Sequence, residues 1–80
     1  MKVPVIKKLV ETYSLEELTL AEASIAEEET PAIEIPGDDE GEQLTHAFAA
    51  MWIRQQMEDN GDDFKTALRA YTQMVRGSIS

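Results

Sequence analysis

With 80 residues, 42% of them hydrophobic, and no cysteine, the chain has material for one modest core and no means of reinforcing it with disulfides or a zinc-thiolate site. Its net charge of −9 opposes binding to a duplex phosphate backbone, which is gripped by clusters of Lys and Arg. The longest uncharged stretch after residue 42 runs over 43–53, well short of the roughly 20 apolar residues that span a bilayer, so neither nucleic acid nor a membrane is an expected partner.

The charge is unevenly spread. All twelve acids from Glu11 to Glu42 lie in a region, 11–53, that contains no Lys or Arg. The first eight residues carry Lys2, Lys7 and Lys8, and the part from Arg54 onward balances four bases against four acids. Met1-Lys2-Val3-Pro4 lacks the apolar run and small-residue cleavage site of a signal peptide, so the expected location is cytoplasmic.

Pro4 followed by Val5, Ile6, Leu9, Val10 and Tyr13 recurs with helical spacing, and proline in a first turn gives up no hydrogen bond. This predicts a helix over 4–12. A strand over 2–6 competes, because Val and Ile favour strands, but Lys7 and Lys8 suit the wet side of a helix better. Ser14-Leu15-Glu16-Glu17 has the form of a capping box and predicts a second helix over 15–28. Leu15, Leu18, Ala21 and Ile25 make its apolar stripe, while Glu16, Glu17, Glu22, Glu27 and Glu28 face water. Thr30-Pro31 ends it, since a residue before proline is pushed out of the α region.

Over 32–35 the sequence Ala-Ile-Glu-Ile alternates like a short strand, yet no second strand exists to pair with it. It is expected either as an extended loop pinned by Ile33 and Ile35, or paired with its copy in a second subunit. Asp39 with Glu42 caps a third helix over 41–59, closed by a left-handed turn at Asn60-Gly61. Within it, 47–53 is a run of seven apolar residues, greasy on every side of the helix. Asp62 or Asp63 opens a fourth helix over 63–76. Phe64, Leu68, Tyr71 and Val75 lie on one face, Lys65, Arg69 and Arg76 lie on the other, and Gly77 stops it before a tail Ser78-Ile79-Ser80. The fold class is therefore all-α, one domain over 1–80, with four short helices.

A helix apolar all round must be buried all round, and three short neighbours can hardly enclose it. The expected solution is a homodimer with Phe48, Met51, Trp52 and Ile53 in the interface. The alternative is a monomeric adaptor that receives a partner protein in an apolar groove around Met51 and Trp52. The acidic belt is a solvated face by default, and in its functional reading a dock for a basic partner.

Chemistry has few candidates. Asp38, Asp39, Glu40 and Glu42 do not have the spacing of a calcium loop and answer the positive end of the third helix. Asp59-Asn60-Gly61-Asp62-Asp63 reads as a turn and a cap. His46, the only histidine, shares a helical face with Glu42, the spacing from which a carboxylate and an imidazole can meet a metal, but two ligands do not make a site. Ser14 and Thr66 are accounted for by capping and the first helical turn, which leaves no nucleophile for the histidine to activate. We therefore expect no catalytic residues, no cofactor and no enzymatic activity. A carboxylate/His metal-binding protein is the third reading.

Met1-Lys2-Val3-Pro4-Val5-Ile6-Lys7, Gly41-Glu42-Gln43-Leu44-Thr45-His46 and Val75-Arg76-Gly77-Ser78-Ile79 resemble a family of short uncharacterised proteins of Bacteroidetes-type bacteria, a domain of unknown function. The likeness covers most of the chain and carries no chemical motif. Such relatives look as if they lie near thioredoxin and peroxiredoxin genes. The resemblance thus implies a redox partner that a cysteine-free chain would reach through binding alone.

Overall fold

Pro4 sits in the first turn of α1 (Val3–Thr12), so the helical reading of the N-terminal segment holds against the strand. Ile6, Leu9 and Val10 turn inward, and Lys7 and Lys8 remain exposed. α2 (Leu15–Ala26) begins on the capping box: Glu17 donates its backbone N–H to Ser14 Oγ, and Ser14 N–H donates to the Glu17 carboxylate. Leu18, Ala21 and Ile25 are buried as the stripe requires, with Leu15 half-buried. α3 (Glu40–Asn60) starts at Asp39, whose carboxylate accepts the Glu42 N–H at 2.7 Å, and ends at Gly61 with φ +69. α4 (Phe64–Ile79) starts at Asp63, which accepts the Thr66 N–H at 2.8 Å. The computed structural model describes residues 2–79, and among these the architecture is all-α, with no strand.

Two expectations, the end of α2 and the stop at Gly77, need correction. α2 ends at Ala26, two residues before the predicted 28, because the turn that closes it forms on the glutamates and not at the proline. Glu28 N–H donates to Ile25 O and Glu29 N–H to Ser24 O, the paired bonds of a Schellman turn, with Glu28 at φ +62. A glutamate in that left-handed position, normally a glycine's, costs about 1 kcal/mol. Of the two expectations for 32–35, the loop pinned by its isoleucines is the one seen: the chain bends at Ala32 and Ile33, Ile35 is buried and Ile33 packs partly buried against the core. Gly77 does not stop α4, which continues to Ile79. A single glycine lowers helix stability by about 1 kcal/mol but does not forbid the conformation. Ser80, part of the expected tail, lies outside the described residues.

α3 is the hub, since α1, α2 and α4 each pack chiefly against it. Ala47, Ala49, Ala50 and Ile53 are fully buried, and the small alanines let the neighbouring helices approach closely. Part of the puzzle of 47–53 therefore resolves within the chain. Three helices and the anchored loop enclose most of this run, and the alanines have no face left for water. The residues left partly uncovered are Phe48, Met51 and Trp52.

Candidate functional site

His46 on α3 is wholly buried, the one polar side chain in the core among the described residues. Its Nε2 accepts the Lys2 backbone N–H at 3.0 Å, and its Nδ1 meets the Pro36 carbonyl at 2.7 Å. These partners require the proton to sit on Nδ1, which donates to Pro36 O. One imidazole thus ties the start of α1 and the loop before α3 to the central helix. Both ring nitrogens are committed to backbone groups, so neither offers a lone pair to a metal.

Glu42, the expected companion of His46, is likewise occupied. Its carboxylate accepts the Asp38 N–H at 2.9 Å, and that hydrogen bond holds its pKa below the ordinary carboxylate value, helped by the nearby Lys2 charge. Among the described residues no three His, Cys, Asp or Glu side chains converge as a metal site would require. Sequence spacing correctly put His46 and Glu42 one turn apart, but it contained no signal that residues 2 and 36 would claim the ring.

Gly37 belongs to the same corner. A Cβ there would stand 2.8 Å from the Gln43 backbone nitrogen and 2.7 Å from its Cγ, so the loop lies on the first turn of α3 more closely than any other residue permits. Farther along α3, Arg54 Nη1 donates to Val10 O at 2.7 Å and Nε donates to Glu58 at 2.8 Å. The guanidinium satisfies a carbonyl in the last turn of α1 and places a positive charge at that helix's negative end.

The opposite flank of α3 is aromatic. Tyr71 of α4 lies with its ring centre 5.7 Å from Trp52, edge to face, and 6.3 Å from Phe48. Tyr71 is buried, and burial raises its pKa above the usual phenol value. Phe48, Met51 and Trp52 are only half-buried, as are Phe64, Leu68, Met74 and Val75 of α4. Of the four expected interface residues, Phe48 and Trp52 lie on this partly open flank beside Tyr71, and Met51 between them in sequence is also partly uncovered. Ile53 turns the other way and is completely enclosed, because one residue beyond Trp52 is a rotation of about 100°.

Two features escaped the sequence reading. An open groove of about 470 Å³ lies between the end of α2, the following loop and the first turn of α3. Ile25, Ile33 and Ile35 supply its apolar floor, and Glu28, Glu29, Glu34 and Glu40 stand around it, all four exposed. A second groove, of about 360 Å³, runs between α1 and the loop, lined by Val5, Leu9, Tyr13 and Pro36. No described helix is long and apolar enough to cross a membrane.

Over residues 1–80 the chain matches a family model described as Family of unknown function (DUF6952). No curated protein and no solved structure matches it.

Proposed function

We propose that this chain, which belongs to that family of unknown function, is a small non-catalytic interaction protein that associates with a second copy through the flank shared by α3 and α4. The observation that supports the reading is the half-burial of Phe48 and Trp52, both in ring contact with Tyr71, together with that of Met51 on α3 and of Leu68 and Val75 on α4. Large apolar side chains grouped on one side of a small domain are the usual core of an isologous interface, where a two-fold axis lets each residue meet its own kind. α4 adds a reason: its chief support is α3, so one of its sides lacks a neighbour that a second subunit would supply. Ile53 contributes from behind, as the fully buried residue that holds α3 in place.

Equilibrium sedimentation at micromolar concentration tests the reading. The expected species has twice the 9.0 kDa mass of the chain, and Trp52→Ser should shift it toward the single mass while leaving helical circular dichroism intact. A native chain that stays at 9.0 kDa refutes self-association, and the same flank then serves a different protein as a monomeric adaptor.

A further inference from the structure

The groove at the end of α2 lies on a different surface from the aromatic flank and does not depend on the dimer. Its rim is placed where electrostatics disfavours it. Glu27, Glu28 and Glu29 follow the last turn of α2, so three negative charges stand beside one another at the negative end of a helix dipole. Glu28 also holds the left-handed position that Gly61 occupies at the end of α3. Glu34 from the loop and Glu40 from α3 extend the same field across the groove, and no Lys or Arg is among its lining residues, Lys8 standing with Glu34 on the neighbouring groove instead. The carboxylates are too dispersed for a single ion, since no three of them converge among the described residues. What complements such a surface is several positive charges spaced along a chain, with an apolar side chain between them to cover Ile25, Ile33 and Ile35.

We propose that the groove bounded by Ile25, Glu28, Glu29, Glu34, Ile35 and Glu40 docks a basic, amphipathic peptide segment of a partner protein, whose Lys or Arg side chains pair with the rim while an aliphatic side chain enters the floor. The acids at the end of α2 are then retained for binding at the expense of local stability, a conflict typical of functional sites.

The probe is a capped synthetic hexapeptide, Lys-Leu-Arg-Lys-Leu-Lys, titrated by fluorescence anisotropy and by amide chemical-shift mapping. Shifts are expected at Ile25, at 28–30, at 32–35 and at Glu40, with affinity falling about tenfold between low and physiological salt. Replacing both leucines of the peptide by serine should weaken binding about tenfold, which separates docking in the groove from attraction to a negative protein in general. Glu28→Gly is the decisive variant, because it should raise the melting temperature by about 5 °C yet weaken the peptide severalfold, so lost binding cannot be ascribed to unfolding. Equal binding of the serine peptide, unchanged affinity in Glu28→Gly, or shifts centred on Phe48 and Trp52 would each overturn the proposal. So would displacement of the peptide by a second copy of the chain on this groove.

Discussion

The two flanks of α3 are built from different materials. Toward α1 and the loop, the helix presents small or aliphatic residues with polar ties between them: Ala47, Ala50 and Ile53 are fully enclosed, His46 clamps Lys2 and Pro36, and Arg54 reaches Val10. Toward α4 it presents Phe48 and Trp52 around Tyr71, held by ring contacts. On the first flank each hydrogen bond demands one geometry, and a buried group deprived of its partner is costly. On the second, contact is mainly apolar and leaves large side chains partly in water. The first flank specifies the fold, and the second is the one on which the proposed association rests.

Substitutions at four places sharpen or break this contrast. His46→Ala removes a buried ring and strands both the Lys2 N–H and the Pro36 carbonyl, so it should cost about 4 kcal/mol in urea unfolding. A loss below about 1 kcal/mol would mean that the polar flank is not what holds the fold. Gly37→Ala should cost about 2 kcal/mol, because its methyl group meets the Gln43 backbone, which cannot swing aside as a side chain could. On the aromatic flank Trp52→Ala should lower the stability of the single chain by about 1.5 kcal/mol, read from thermal melts at high dilution, since part of the indole is already in water. If Trp52→Ala proves costlier than His46→Ala, the assignment of the two flanks is reversed.

The smallest effect is that of pH. Glu42 and Asp63 carry lowered pKa values, held down by the Asp38 and Thr66 backbone N–H groups respectively. The unfolded chain therefore binds protons that the folded chain refuses. The stabilisation from these carboxylates is present above the ordinary carboxylate range and is lost as the pH falls through their lowered folded values. Glu42→Gln should flatten the acid limb of a plot of melting temperature against pH. At the alkaline end Tyr71 acts in the opposite sense. Its raised pKa favours the protonated folded form below the ordinary phenol range, and that advantage disappears as the pH rises through the folded value.

Much of the fold could be read from local chemistry. The caps at Ser14, Asp39 and Asp63 and the left-handed turn at Gly61 involve residues three or four apart, and the hydrogen bonds appear where the spacing places them. Ile25 and Tyr71 are buried because a periodic stripe indicates which way a side chain faces. What stayed hidden depends on contacts between distant parts of the chain. Nothing near His46 indicates that Lys2 will reach it across 44 positions, and nothing near Arg54 indicates Val10. The same limit explains the candidate interface: the apolar run at 47–53 announces burial, but which of its residues meet α1 and α2, and which stay half open beside α4, is decided only when the helices assemble. The groove at the end of α2 had a local signal in three consecutive glutamates at the wrong end of a helix, which composition alone presents as a solvated face.

The hub arrangement has a consequence for how the molecule comes apart. Because α1, α2 and α4 meet chiefly through α3, loss of the central helix removes most tertiary contacts at once, and unfolding that begins there is global. Detachment of α4 is a smaller event. It breaks one seam and leaves the His46 and Arg54 ties intact, so amide protons of α4 are expected to exchange through sub-global opening ahead of those in α3. That opening bares Phe48 and Trp52, the surface a second copy would cover, and association would accordingly slow exchange in α4 first.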